Sequence, residues 1–291
     1  MGAIGDYITK KVLRNSAKKH IRNYPRLAMF AFDSISSEII IFGQHEREEL
    51  KFLGSGLFPK LKKRICCFDV GANIGNHSLE FAKHFEHVYS FEPNPYVYDL
   101  LNINASLTNN IITKKIGLSN SQRTVKIQKN KYETNLGSTK IEEKALLESK
   151  DFYEFKLMKL DQFVKSNKIK DIDYIKIDIE GHELECIMGA EHTLRSFSPI
   201  LTIEILKVDI FEGKTNAIKL LKEYGYEFFY ELVDSSWLNR LPVSLYKLVR
   251  FSMSILINKK LKREYTLKPI NSLEPKNYTM VVCSKKQISD L

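Results

Sequence analysis

The chain has 291 residues, 43% of them hydrophobic, and a formal net charge of +10, enough length and apolar content for one sizeable core and one catalytic domain. No run of about 18 apolar residues occurs, and no charged-then-apolar stretch leads to a small-residue cleavage site; the expectation is a cytoplasmic protein that neither spans a membrane nor is exported by that route. The charge calls for an acidic partner, and nucleic acid, anionic lipid and phosphorylated sugar carriers all satisfy it.

In chain order, residues 8 to 30 set Lys10, Lys11, Arg14, Lys18, Lys19, Arg22 and Arg26 among Ile8, Val12, Leu13, Ile21 and Leu27, a basic and loosely amphipathic helical pattern that fits a solvated helix or a docking surface. Glu38 to Phe42 is predicted as a short strand and Glu46 to Phe52 as a helix. From residue 64 the pattern alternates: strand 64–69, helix 75–84, strand 87–91, helix 94–106, strands 111–116 and 123–128, strand 173–178, helix 182–195, strand 199–204 and helix 214–224. Such alternation implies a mostly parallel sheet with helices on both faces. Residues 123–128 follow a Gly117 to Asn120 turn and suggest an inserted antiparallel pair, with 129–150 as a flap. A strand over 277–283 is expected to close the sheet. Cys66 and Cys67 on the first strand, Cys186 in a helix and Cys283 in the late strand show neither metal-ligand spacing nor a disulfide pattern, which fits a reducing compartment. The domain expectation is an extension over 1–60 and a catalytic domain over 61–291, with a basic amphipathic insertion at 237–265. There Trp237, Leu241, Leu245 and Phe251 interleave with Arg240, Lys247, Lys259, Lys260 and Lys262. That composition suits an interfacial helix on anionic lipid, and equally a hairpin over the active site or at a dimer contact.

The most specific stretch is Asp69-Val70-Gly71-Ala72-Asn73-Ile74-Gly75-Asn76, followed about twenty residues on by Phe91-Glu92-Pro93-Asn94. It reads as strand, glycine turn, helix and second strand ending in an acid, a nucleotide-cofactor half-site. A dinucleotide fingerprint would need glycines where Asn73 and Asn76 stand. Asp69 before the turn would repel phosphates and attract an ammonium group, so charge points to S-adenosyl-L-methionine. Asp69, Gly71, Asn73, Gly75 and Asn76 are candidates for its amino-acid end and Glu92 for its ribose, with Asn94 beside the ribose or adenine.

These residues, together with Ile175-Lys176-Ile177-Asp178-Ile179-Glu180-Gly181-His182-Glu183, resemble the FkbM-type S-adenosylmethionine-dependent methyltransferases. Gly43-Gln44-His45-Glu46, Asn135-Leu136-Gly137-Ser138, Leu160-Asp161 and Glu204 extend the resemblance over roughly residues 40 to 230. It implies an α/β, Rossmann-like class I methyltransferase fold with a mostly parallel seven-stranded sheet, an N-terminal helical extension and a late helical insertion. It also implies O-methyl transfer in natural-product or surface-polysaccharide pathways. By analogy with that fold, Gly117 and Ser119 border the adenine.

The second cluster, Asp178, Glu180, His182 and Glu183, sits where a strand runs out, and Glu204 ends the next strand; ligands bind at that edge of open parallel sheets. A hydroxyl acceptor needs a base within reach or a cation for its alkoxide. His182 or Glu180 is the favoured base, without metal, while Asp178, Glu180 and Glu204 suit sugar hydroxyls or Mg²⁺. Asn135 and Ser138 are candidate acceptor contacts or simply turn residues. The leading expectation is O-methylation of a sugar hydroxyl on a surface glycan or lipid-linked saccharide. Alternatives are another small hydroxyl or carboxylate, a nucleic acid, and a non-catalytic binding module. Against nucleic acid, no Asn-Pro-Pro-Tyr-like element follows the fourth strand and the cations interleave with aliphatic residues instead of aromatic platforms.

Overall fold

The computed structural model describes residues 2–128, 152–235 and 265–290. An eight-stranded sheet has the order β10-β9-β11-β8-β7-β1-β2-β3, built from β1 (Cys66–Val70), β2 (His87–Phe91), β3 (Ile111–Lys114), β7 (Tyr174–Ile177), β8 (Ile200–Ile205), β9 (Phe228–Asp234), β10 (Tyr265–Pro269) and β11 (Tyr278–Ser284). The five strands from β3 to β8 are parallel, whereas β11, β9 and β10 add antiparallel pairings. The α/β expectation therefore holds with a mixed sheet of eight strands. The late strand does not close an edge: β11 lies between β8 and β9, because Val281 and Cys283 on one face and Met280 and Val282 on the other are all buried, which an interior strand requires.

The two faces follow the period of two. Phe68, Val70, Ile175, Ile177, Leu201 and Ile203 pack against α6 (Leu160–Ser166), α7 (Glu183–Met188), α8 (Glu191–Phe197) and α9 (Asn216–Glu223) through Phe163, Ile187, Leu194 and Leu221. Cys67, Val88, Tyr174 and Val282 pack on the other face against Phe81 of α4 (Asn76–Phe81) and against Leu50 of α3 (Arg47–Phe52) with Leu53, Leu57 and Phe58 after it. Residues 50–58, ahead of the expected domain boundary, thus share this core. All four cysteines are free and buried, and burial pushes the Cys66 thiol up to about 12.

Two local expectations are corrected and a third holds. Glu38 to Phe42 is the end of a helix, α2 (Ser34–Phe42). Its isoleucine run favours a strand, but Asp33 caps it by accepting the Ser36 N–H at 3.0 Å and Gly43 stops it at φ +86°. Ile39 then packs on Ile74 and Val97, the latter from α5 (Pro95–Ala105). The predicted helix 182–195 is two helices, α7 and α8. A Cβ at Gly189 would collide with the Ser119 carbonyl, and Asp161 caps the second piece by accepting from His192 and Thr193 at 3.0 and 2.8 Å. The expected antiparallel pair is β5 (Arg123–Gln128) with β6 (Phe152–Met158), and β6 also pairs in parallel with β4 (Gly117–Leu118) to make a small second sheet. The 129–150 flap and most of the 237–265 insertion lie outside the described residues, and among those described no helix is long and apolar enough to cross a membrane.

Candidate active site

Parallel strands β1, β2, β7 and β8 end at one edge, and the register sets their terminal residues side by side: Val70 beside Phe91 and Ile177, and Ile177 beside Ile203. Continuing one residue brings Gly71 beside Glu92 and Asp178 beside Glu204. At Gly71, φ is +80° and a Cβ would collide with the carbonyl oxygen of Asp178; only glycine lets β7 end this close to the turn. Gly71 and Ala72 donate to the Phe91 carbonyl at 3.1 and 3.0 Å. Asn73 is left-handed at φ +50° and its side chain accepts from the Ile74 N–H at 2.7 Å, after which Gly75, at φ +92°, opens α4.

Glu92 is buried, and its two oxygens accept the N–H groups of Asn73 at 3.2 Å and Asn94 at 2.8 Å. Burial pushes its carboxyl up to about 7 against the pull of those donors, and Asp69 adds to the rise. Asn94 caps α5 by accepting from Tyr96 at 3.1 Å. Asp69, expected to meet the ligand, is fully buried: one oxygen accepts from Ser78 Oγ at 2.6 Å and the other faces Lys176 Nζ at 3.9 Å with no hydrogen bond. The Asn76 amide is likewise taken up, donating to the His45 carbonyl at 3.0 Å and accepting its N–H at 3.1 Å. Both turn inward because a charge or amide beneath a packed helix must find its partners inside the protein.

A cation between two isoleucines of a buried strand, Lys176 is a site residue that motif spacing alone does not single out. Its Nζ lies 2.8 Å from Asp178 Oδ2. Burial works to lower this ammonium, but Asp178 and then Asp69 outweigh it, and the group is held above the ordinary lysine range. Around it the loop after β7 carries the second acidic cluster. Glu180 is left-handed at φ +56° and half-buried. Glu183 is buried and accepts the N–H groups of Ile179 and Gly181 at 3.0 and 3.2 Å, closing its own turn. Glu204 faces this cluster from β8 with a buried oxygen that has no hydrogen-bond partner. Burial, then Asp178, Glu180 and Glu183, push its carboxyl up to about 8, with Lys176 pulling the other way.

His182 is buried at the start of α7, with Nε2 2.9 Å from Ser119 Oγ and Nδ1 3.6 Å from Glu185. Ser119 follows β4, is fully buried, and also accepts from Arg123 at 3.2 Å. The imidazole therefore ties the acidic loop to the expected adenine edge at Gly117 and Ser119. Asn135 and Ser138 lie outside the described residues. A further contributor comes from ahead of the turn: Glu46 Oε2 is 3.0 Å from His77 Nε2 on α4, and Gln44 donates to Glu80 at 3.1 Å.

The donor set fits S-adenosylmethionine. A half-buried group of carboxylates suits a sulfonium and would repel a pyrophosphate, while the Glu92 oxygens, each with a lone pair to spare, suit a ribose diol. Among the described residues no group of three or more His, Cys, Asp and Glu side chains is arranged to hold a metal ion.

The Methyltransferase FkbM domain matches residues 69–228. Hexuronic acid methyltransferase AglP of Haloferax volcanii is 29% identical over 159 residues, covering 54% of this chain and 61% of that protein, so the chain spans less than two thirds of this relative's length. Among solved structures, precorrin-6y C5,15-methyltransferase from Geobacter metallireducens is 12% identical, with 91% of this chain and 100% of that one covered and a TM-score of 0.45. An FkbM methyltransferase from Methylobacillus flagellatus is 16% identical, with 94% and 58% covered and a TM-score of 0.37. With the glycine turn, Glu92 and the acidic loop all inside a domain match that takes in more than half of its length, the chain belongs to the FkbM methyltransferase family.

Proposed function

We propose that this protein is an S-adenosylmethionine-dependent O-methyltransferase acting on a sugar hydroxyl, in a cell-surface glycan or lipid-linked saccharide pathway. The observation that carries the reading is Glu204: a carboxyl pushed up to about 8 in the acidic crevice, two strands from β1, which the glycine turn ends. A hydroxyl must lose its proton as it attacks, and a base works best when its pKa lies near the operating pH. The cofactor supplies an electrophilic methyl when bound. Gly71, Asn73 and Gly75 would border its amino-acid end, Glu92 would hold its ribose and Gly117 and Ser119 its adenine. Asp178 and Glu180 orient acceptor hydroxyls, Glu204 takes the proton, and His182, bonded through Nε2 to Ser119, holds the loop.

The saccharide class is supported by the relative that methylates a hexuronic acid. Such a sugar offers a carboxylate as well as hydroxyls, so methyl-ester formation is the second reading; it needs no base and leaves the raised Glu204 carboxyl without a role. Transfer of tritiated methyl into saccharide fractions, followed by mild alkali, tests both. Alkali-stable label lost with Glu204→Gln supports the ether; alkali-labile label, or label only in RNA or protein, overturns it. Activity abolished by a chelator and restored by Mg²⁺ would replace the metal-free base with a metal-held alkoxide.

We read residues 1–60 as an extension of a methyltransferase domain over 61–291, located in the cytoplasm at the inner membrane face. Supporting the last point, α1 (Ala3–His20) exposes Tyr7, Ile8 and Val12 beside Lys10, Lys11, Arg14, Lys18 and Lys19, which suits anionic headgroups. Vesicles containing anionic lipid should retain the protein at low salt, and no retention would remove the membrane contact.

A further inference from the structure

The ammonium of the cofactor's amino-acid end needs an anion near the glycine turn, and the acid that the sequence offers for it is shut away. Asp69 is fully buried, fixed by Ser78 at 2.6 Å and backed by Lys176 at 3.9 Å. Glu92 already holds two backbone N–H groups and Glu183 two more. Asp178 Oδ2 is spent on Lys176 at 2.8 Å.

Glu46, with Oε2 on His77, is the carboxylate that reaches the first turn of the helix opened by the glycine turn. It stands at the head of α3 without capping it, in a left-handed conformation at φ +50° that a residue with a Cβ seldom adopts. Its side chain is 24% exposed. It is carried to the site by a clasp: the reciprocal His45–Asn76 pair at 3.1 and 3.0 Å and the Gln44–Glu80 bond at 3.1 Å fasten this segment onto α4, the helix that the glycine turn opens. Glu46 Oε2 then lies 3.0 Å from His77 Nε2 in the first turn of that helix. Burial works to raise this carboxyl, but His77, with His45 and Lys176 behind it, holds it at about 2, so it is an anion at every working pH.

Resting on the reading that the chain binds S-adenosylmethionine, we propose that Glu46, ahead of the matched domain, is the residue that receives the α-ammonium of the cofactor. It thereby makes the segment Gly43 to Glu46 part of the cofactor site.

The test is calorimetric binding of S-adenosylhomocysteine and of 5′-methylthioadenosine, which has the same nucleoside and lacks the amino-acid end, to the full chain and its Glu46→Gln and Glu46→Asp variants. Glu46→Gln should weaken S-adenosylhomocysteine about tenfold or more, as expected for a lost charge-assisted contact, leave methylthioadenosine unchanged, and be partly rescued in Glu46→Asp. Methylthioadenosine binding serves as the control for folding. Equal weakening of both ligands would reduce Glu46 to a structural clasp and overturn the proposal, as would no weakening of either. Absence of S-adenosylhomocysteine binding by the unaltered chain would overturn the cofactor reading itself, an outcome distinct from failure of the Glu46 assignment.

Discussion

His182 Nε2 lies 2.9 Å from Ser119 Oγ, 63 residues earlier in the chain, and this contact joins the acidic loop after β7 to the end of β4. The two groups the sequence read separately, one as a base and one as an adenine border, are a single hydrogen-bonded unit.

If His182 acts by positioning that loop, His182→Gln, which keeps a polar partner for Ser119, should lower kcat/KM by about 10–100-fold and leave the shape of the pH–rate profile unchanged. His182→Ala and Ser119→Ala should be non-additive in a double-mutant cycle, since they remove the same contact. Loss of the rising limb of the pH profile in His182→Gln would instead make the imidazole the base.

Glu204→Gln should lower kcat by about 10²–10⁴-fold, the usual contribution of a positioned base. In the free enzyme the carboxyl is pushed up to about 8, so kcat/KM should rise with pH through about 8 and level off above it. The same shift has a stability consequence with the reverse sign. Because the folded value lies above the unfolded 4.5, the stabilisation from holding the proton is complete below 4.5 and is lost as pH rises through about 8. Thermal unfolding of Glu204→Gln should therefore show its largest gain over the parent near pH 9 and the smallest near pH 4.

Glu92 is held at about 7 by burial, and it must be ionised to accept two ribose hydroxyls. Affinity for S-adenosylhomocysteine should fall as pH drops below about 7, approaching one decade per pH unit as a proton is released on binding. In Glu92→Gln that dependence should vanish along with most of the affinity. Calorimetry at pH 5.5, 6.5 and 8 decides it: a flat affinity in the parent would remove Glu92 from the ribose.

Much of this was legible in the sequence because it rests on local rules. Strand, glycine turn, helix and acid-ended strand are all short-range patterns, and Asp69 through Glu92 fold where the pattern puts them. What failed was tertiary. The Ile39 to Ile41 run favours a strand by propensity, and only the Asp33 cap and the contact with Ile74 make it a helix. Gly189 looks like a tolerable helix interior until the Ser119 carbonyl packs against it. Asp69 and Asn76 sit in the right motif, yet which side chains point into the crevice depends on Ser78, Lys176 and His45, residues that no spacing rule links to them. The apolar run of β11 marks it as a strand, but its place between β8 and β9 is a matter of pairing that one strand's pattern does not contain.

Gly71→Ala should test the closest approach in the site. The substitution places a Cβ against the carbonyl of Asp178 at a backbone angle of φ +80°, and since both obstacles are backbone, neither can move aside as a side chain would. A cost of about 2–4 kcal/mol is expected, together with loss of S-adenosylhomocysteine binding, while Gly2→Ala, which has nothing within 4 Å, should be silent in both assays.

Lys176 gives the sharpest energetic prediction, because it is the buried cation between Asp69 at 3.9 Å and Asp178 at 2.8 Å. Lys176→Met keeps the length and apolar contacts of the side chain but leaves the carboxylates facing each other, and breaking a buried pair from one side costs about 3–5 kcal/mol. Adding Asp69→Asn to Lys176→Met removes the buried charge that was left without its partner, so the double variant should recover a large part of the lost stability in urea unfolding. If the double variant is as unstable as the single one, Lys176 is held in place by packing and not by charge. The order of unfolding midpoints, parent above double above single, is therefore the measurement that decides whether the crevice is built around this ammonium.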